Sequence, residues 1–254
     1  MKVRVLGASG SSLPKKKLPA FLINDFLLLD AGSITNSLSL QEQEKIRFIL
    51  ITHAHLDHIQ DLPYLLDNLF LAKSPHKIRL FAISEVIKQI KKNLFNSLIW
   101  PDFSNIPNPE KAILQYEEVE LNTPFIVNGL KITPLPTKHS VASAGFLIEE
   151  GEKSLLYTGD TTYDPNLWRK YGYLKLNALI TEISLPSSHE DLAFLTGHLT
   201  PNLLLKGLSH FSHPPERIFI YHLKVRYRRE IMKELRNLTL PRVELLREGS
   251  IIEI

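Results

Sequence analysis

The sequence predicts an α/β fold in which two β-sheets pack face to face and helices cover their outer sides. Short apolar and β-branched runs bounded by Gly, Pro, Asn and Asp fall into two stretches, one in the first third of the chain and one after residue 118. Segments with helical spacing lie between and after those stretches, an order that suits two sheets with helices outside. At 254 residues and 44% hydrophobic content the chain can bury a sizeable core, and it reads as one domain over residues 1–254.

The first β-rich stretch comprises Val3–Leu6, Ala20–Ile23, Phe26–Leu29 and Arg47–Ile51. Asn24-Asp25 suggests a hairpin between two of these runs, and Asp30-Ala31-Gly32 closes it before a polar helical segment at Ser39–Lys45. Helical spacing then predicts helices over Leu62–Leu71 and Ser84–Leu98, the second capped by Ser84 and carrying Lys88, Lys91 and Lys92 on its polar side. Three prolines between Trp100 and Pro109 predict a loop, a candidate rim for an active site. The second β-rich stretch comprises Val119–Leu121, Phe125–Val127, Leu130–Leu135, Gly145–Ile148 and Ser154–Tyr157, with turns at Asn128-Gly129 and Glu150-Gly151. Buried runs at Ala178–Thr181 and Arg217–Tyr221, a helix over Arg226–Leu238 and strands near Val243–Leu246 and Ser250–Ile254 complete the chain.

Composition narrows the chemistry. Thirty basic against 27 acidic residues leave a net charge of +3, without the concentrated basic stripe of a dedicated nucleic-acid binder. The absence of cysteine removes disulfides, thiolate metal sites and a cysteine nucleophile, so any metal site must be built from His, Asp and Glu. The opening MKVRVLGASG lacks the apolar stretch of a signal peptide, and no later segment is apolar enough to span a bilayer; the expected location is the cytoplasm, with no membrane partner. Nothing in the sequence sets the oligomeric state, a homodimer being one candidate.

The strongest signal is Thr52-His53-Ala54-His55-Leu56-Asp57-His58, directly after the apolar run Arg47–Ile51. Four potential ligands within six positions can converge only if the chain leaves the sheet in a tight loop. Crowding these groups at the end of a buried strand without a metal costs on the order of several kcal/mol. A lone histidine is more often a hydrogen-bonded structural residue; the cluster reverses that preference and predicts metal binding.

This THAHLDH run resembles the HxHxDH signature of the metallo-β-lactamase superfamily. The resemblance implies a four-layer αββα sandwich of two mixed β-sheets flanked by helices, with a metal site at one edge. It extends to Leu135-Pro136-Thr137-Lys138-His139, to Leu155-Leu156-Tyr157-Thr158-Gly159-Asp160 and to Ile218-Phe219-Ile220-Tyr221-His222. By that likeness one metal is held by His53, His55 and His139 and the other by Asp57, His58 and His222, with Asp160 bridging both. Imidazole and carboxylate suit two divalent ions, zinc first, with manganese or iron also compatible. Water between such ions ionises near neutral pH and can act as the nucleophile.

Asn177-Ala178-Leu179-Ile180-Thr181-Glu182, followed by Leu195-Thr196-Gly197-His198-Leu199-Thr200-Pro201, resembles the phosphodiesterase branch that includes ribonuclease Z and the class II cyclic-nucleotide phosphodiesterases. In that branch a Glu and a His in these motifs deliver a proton, which makes Glu182 and His198, with Asp57, the candidate catalytic residues. A carboxylate-polarised His can protonate a departing alkoxide near neutral pH. The structural alternative has His198 and Thr200 capping the helix that Pro201 begins, with Glu182 in an ion pair.

Only one predicted hairpin separates His139 from Asp160, where ribonuclease Z carries a long tRNA-gripping insertion. Together with Glu182-Ile183-Ser184-Leu185-Pro186 and Ile220-Tyr221-His222-Leu223-Lys224, this makes a small anionic phosphodiester the expected substrate, a 3′,5′-cyclic nucleotide hydrolysed to its 5′-monophosphate. The chain departs from that pattern at Val225, where a Pro is expected, and at Thr162, where a Gly is common. The alternatives are a ribonuclease Z-like or other RNA-cleaving hydrolase and, from another class, a non-catalytic metal-stabilised binding protein. Lys224, Arg226, Arg228 and Arg229 are candidate phosphate contacts or a solvated face, and Trp100 and Phe103 are candidate base-stacking residues or core. His76, His189, His210 and His213 read as solvated or structural.

Overall fold

Alternation along the strands explains the layering. Val3, Val5, Phe21, Ile23, Leu27, Leu29 and Leu50 pack into one apolar cluster, whereas their neighbours Leu6, Leu22, Leu28, Ile49 and Ile51 pack into another. Successive strand side chains point to opposite faces, so a sheet buried on both sides needs apolar residues at both parities. In this computed structural model, which describes residues 1–72, 76–238 and 243–254, that condition is met by two seven-stranded sheets packed against each other.

The first sheet contains β1 (Lys2–Gly7), β2 (Ala20–Ile23), β3 (Leu27–Leu29), β4 (Phe48–Leu50), β5 (Ile78–Ala82) and β6 (Leu114–Glu118). The second contains β7 (Phe125–Val127), β8 (Leu130–Pro136), β9 (Ala144–Glu150), β10 (Lys153–Tyr157), β11 (Ala178–Glu182), β12 (Arg217–Tyr221) and β13 (Val243–Leu245), and β14 (Ile251–Glu253) returns to the first sheet beside β1. Both sheets are mixed: β1 to β3 and β7 to β10 pair antiparallel, while β3 to β6 and β10 to β13 pair parallel. Asn24 and Asp25 have φ of 47° and 62°, and Asn128 and Gly129 of 45° and 83°, the left-handed pairs that two-residue hairpin turns require.

Helices α1 (Leu40–Gln43), α2 (Leu56–Ile59), α3 (Leu62–Leu71) and α4 (Ser84–Asn93) follow strands of the first sheet, and residues of α2 to α4 pack with its outer apolar face. Helices α5 (Pro165–Tyr171), α6 (Glu190–Thr196), α7 (Pro201–Leu208) and α8 (Arg228–Asn237) contribute to the corresponding cluster outside the second. The result is the four-layer αββα sandwich expected from the sequence. No helix among the described residues is long and apolar enough to cross a membrane.

Several boundaries differ from expectation for local reasons. Ser84 is not a cap: Ile83 is the extended residue before α4, and Ser84 already lies in the helix. The helix ends at Asn93 rather than Leu98 because Asn96 bonds back to the Lys92 carbonyl and accepts from the Leu98 and Ile99 amides, an alternative to helical bonding. The strand expected at Val119–Leu121 lies at Leu114–Glu118, where Leu-Gln-Tyr-Glu-Glu pairs with β5 at the sheet edge; pairing there overrides the weak strand preference of Gln and Glu. Helices α5 and α6 were not expected, although Asp164 caps α5 through the Asn166 and Leu167 amides and Gly197 ends α6 at φ 76°. Phe103 is buried beside Phe70 and Phe95, and the half-buried Trp100 packs edge-on to Tyr64, which removes Phe103 as a base-stacking residue.

Candidate metal centre

The site forms where strands end. His53 follows β4, His139 follows β8, Asp160 follows β10, Glu182 ends β11 and His222 follows β12. β10, β11 and β12 are parallel neighbours in the second sheet, so the chain leaves them at one edge, the usual place for a crevice in such sheets, and β4 delivers its loop to the same point from the first sheet. The loop after β4 carries His53 and His55, and the short α2 turns Asp57 and His58 back toward the same point.

Three imidazole nitrogens meet on one side: His55 Nδ1 lies 3.1 Å from His53 Nε2 and 3.1 Å from His139 Nε2. On the other side His222 Nε2 lies 3.2 Å from Asp57 Oδ2 and 3.4 Å from Asp160 Oδ2, while His58 Nε2 lies 3.5 Å from Asp160 Oδ1. Ligand atoms of His53, His55 and His139, of His53, His58 and Asp160, and of Asp57, His58 and His222 lie within 4.8 Å of one another in each group. All seven residues expected from the sequence as ligands thus meet in one place, with the Asp160 carboxylate between the two sides.

Hydrogen bonds on the opposite ring nitrogen orient four of these imidazoles. His53 Nδ1 donates to Thr52 Oγ1 (3.0 Å), His58 Nδ1 to Asp30 Oδ2 (2.7 Å), His139 Nδ1 to the Gly197 carbonyl (2.8 Å) and His222 Nδ1 to Ser184 Oγ (2.8 Å). Each donation, assigned from the partner, leaves a lone pair on the Nε2 that faces the centre. His58 Nε2 is buried without a hydrogen-bond partner among the described residues. A buried nitrogen left with only the long 3.5 Å contact to Asp160 is costly without a metal and would be satisfied by a cation. The donor set fits divalent metal ions on that observation and on its all-imidazole and carboxylate chemistry.

Electrostatics agree with the geometry for three imidazoles and the carboxylates, while His58 differs. Burial acts to lower it, but the Asp160 and Asp30 carboxylates outweigh burial and hold it well above the usual imidazole range, a positive charge that a bound cation would replace. Burial pushes His53, His55 and His139 below the usual imidazole range and so favours the neutral, metal-binding form. Burial acts to raise Asp160, but His222 and His58 outweigh it and hold the carboxyl well below the usual range. Asp57 is lowered in the same way: burial opposes ionisation, and the His222 hydrogen bond with the neighbouring imidazoles overcomes it.

His198 stands at the edge of the cluster with Nδ1 2.7 Å from Glu182 Oε1. Burial acts to lower its pKa, but the Glu182 carboxylate prevails and raises it above the ordinary value. Glu182 is fully buried and also accepts from the Leu199 amide (3.2 Å) and Ser184 Oγ (2.7 Å). Thr200, not His198, caps α7 by accepting from the Leu203 amide, so the capping and pairing roles are both filled, by different residues. Lys224 is half-buried and close enough for its charge to act on His198, whereas Arg226, Arg228 and Arg229 are exposed.

Several supporting residues escaped the sequence reading. Asp30, read only as part of a turn, is fully buried at φ 54°; it accepts from the Thr52 amide and hydroxyl and from Tyr157 Oη as well as binding His58. Asp30→Asn is expected to weaken metal binding about 10–100-fold, measured by titration of metal into apo-protein; unchanged affinity would remove Asp30 as the residue that orients His58. The opening Gly-Ala-Ser-Gly also serves the site. His222 has φ 67°, a strained value for a side-chain-bearing residue, and its amide is held by the Ala8 carbonyl at 2.8 Å. A Cβ on Gly10 would fall 2.1 Å from the His222 carbonyl oxygen, so only glycine lets that loop approach. Gly197 similarly seats His139: an added Cβ would lie 2.8 Å from His139 Nδ1 at a φ of 76°. Gly197→Ala is expected to cost about 1–3 kcal/mol and to weaken metal binding through His139, both read by thermal melts of apo and metal-loaded protein. Equal melts for variant and parent would count against this seating role.

Residues 26–223 match the model of the beta-lactamase superfamily domain. A 3′,5′-cyclic-nucleotide phosphodiesterase of Aliivibrio fischeri is 29% identical over 252 residues, covering 80% of this chain and 73% of that protein. A ribonuclease Z of Metallosphaera sedula is 29% identical over 167 residues, covering 61% of this chain and 51% of that protein. Among solved structures, unliganded yeast PDE1 superposes with a TM-score of 0.83 at 18% identity, covering 98% of each chain, a likeness of fold.

Proposed function

The chain belongs to the beta-lactamase superfamily, and on that premise we propose that it is a dinuclear metal-dependent phosphodiesterase that opens 3′,5′-cyclic nucleotides to 5′-monophosphates. The observation that carries this reading is the pairing of fully buried Glu182 with partly buried His198, 2.7 Å apart, beside the seven-residue ligand set, with His198 itself within 4.8 Å of ligand atoms of Asp160 and His222. A structural metal does not need a proton-equipped edge; hydrolysis with an alkoxide leaving group does.

In this reading His53, His55 and His139 hold one ion, Asp57, His58 and His222 the second, and Asp160 both. Two such ions, zinc first with manganese or iron also compatible, would supply Lewis acidity toward the phosphoryl oxygens and a water acidified to near neutrality. The chain's own residues do the rest. Glu182 fixes the His198 ring through Nδ1, so Nε2 is the nitrogen that presents a proton to the departing 3′ oxygen. Lys224, half-buried nearby, adds a positive charge toward the diester.

The cyclic substrate is favoured over RNA by the segment between His139 and Asp160, where the β9–β10 hairpin occupies residues 144–157 and carries no arm for gripping a tRNA. The name of the Aliivibrio fischeri relative agrees with that choice. The test is hydrolysis by metal-reconstituted protein of cyclic AMP, cyclic GMP, a precursor tRNA and bis(p-nitrophenyl) phosphate. Cyclic nucleotides are expected to turn over at a kcat/KM well above the generic diester. Preference for the precursor tRNA would transfer the chain to the RNA-processing reading.

A further inference from the structure

A cavity of about 550 Å³ opens beside the candidate metal centre and shares His55 with it. Its volume falls within the roughly 300–1,000 Å³ of small-molecule sites. The chain that brings His55 into the cluster also forms one wall, through Ala54 and Leu56; α4 forms another. Ile59, Val86 and Leu94 make an aliphatic interior, all three buried. Glu85, Gln89 and Asn93 recur every fourth residue along α4, so they share the face of that helix that edges the cavity.

The geometry points to this cavity as the nucleobase subsite of the phosphodiester site, an inference that rests on the phosphodiesterase reading above. A base is a flat ring with apolar faces and a polar edge, so it calls for aliphatic walls and a few hydrogen-bonding groups at one side. Asn93 Nδ2 donates to Gln89 Oε1 at 2.7 Å. That bond uses the Gln89 oxygen and the Asn93 amide nitrogen, so the Gln89 amide group and the Asn93 carbonyl oxygen are not spent on each other, a donor and an acceptor on neighbouring residues of the cavity rim. Paired donor and acceptor groups are what base edges present in return. Another cavity, lined by Ser9 and Leu223, is instead edged by Lys16, Arg228 and Arg247 against the one carboxylate of Glu248, a net cationic lining better suited to an anion than to a base.

The subsite is tested with metal-reconstituted wild type, Gln89→Ala and Ala142→Trp, the last placing an indole in the cavity from an exposed wall position. For each protein kcat/KM is measured on cyclic AMP, on cyclic GMP and on methyl p-nitrophenyl phosphate, which carries no base. The ratio of cyclic-nucleotide to methyl p-nitrophenyl phosphate efficiency is expected to fall at least about tenfold in both variants. An unchanged ratio in both overturns the subsite. If wild type cleaves the baseless diester but neither cyclic nucleotide, the substrate reading has failed, and the cavity is judged by equilibrium dialysis with adenosine and guanosine. Saturable binding that Ala142→Trp abolishes retains the nucleobase assignment; no saturable binding to wild type removes it.

Discussion

Asp160→Ala is expected to lose bound metal and to lower phosphodiester hydrolysis by at least about 10⁴-fold, more than ~5 kcal/mol of transition-state stabilisation. The expectation follows from position. The carboxylate is 1% exposed, faces His58 through one oxygen and His222 through the other, and accepts from Tyr221 Oη at 3.3 Å. No other described carboxylate lies between the two imidazole groups, so none can offset the mutual repulsion of two divalent ions there. Asp160→Asn separates charge from shape: it keeps the volume and an oxygen but removes the negative charge, and is expected to retain less than the two ions of the parent. Metal content by elemental analysis, read beside circular dichroism to establish folding, checks both. A folded Asp160→Ala protein that retains two ions and full turnover would show that the bridging place is wrong.

Much of this arrangement was legible because its signals are local or periodic. Each of the seven proposed ligands stands just beyond an apolar run, and the run Thr52 to His58 concentrates four of them. The sheets were legible for the same reason: a strand buried on both faces, such as Ala20–Ile23, has no polar parity and resembles nothing on a surface. What escaped was set by contacts distant in sequence. Asp30 reads as a turn residue, and only the meeting of β3 with β4 and β10 makes it the carboxylate that ties His58, Thr52 and Tyr157 together. Ser184 likewise acquires its role by standing between Glu182 and His222, 38 residues further along the chain. The edge strand β6 failed for the opposite reason: its partial burial leaves Gln115, Glu117 and Glu118, residues of weak strand preference, so the expected strand fell on the apolar Val119–Leu121 beside it. The caps of α5 and α6 were readable, since Asp164-Pro165 and Thr196-Gly197 are ordinary start and stop signals.

His198→Ala is expected to keep both ions and to lower kcat on a cyclic nucleotide by about 10²–10⁴-fold, the usual worth of a positioned general acid. The leaving group separates this role from a structural one. An alkoxide departs poorly without a proton, whereas p-nitrophenolate departs unaided, so the same substitution should cost far less on bis(p-nitrophenyl) phosphate. Glu182→Ala is expected to behave differently, because Glu182 holds two chains of contact. It orients His198 through Oε1 and, through Ser184, the Nδ1 side of His222. Its loss should therefore reduce turnover as His198→Ala does and also weaken metal binding about 10–100-fold. Equal penalties on both substrates for His198→Ala would make that residue a support for the cluster instead of a proton donor. The pair would then belong with Asp30 and Ser184 among the groups that hold the imidazoles in place.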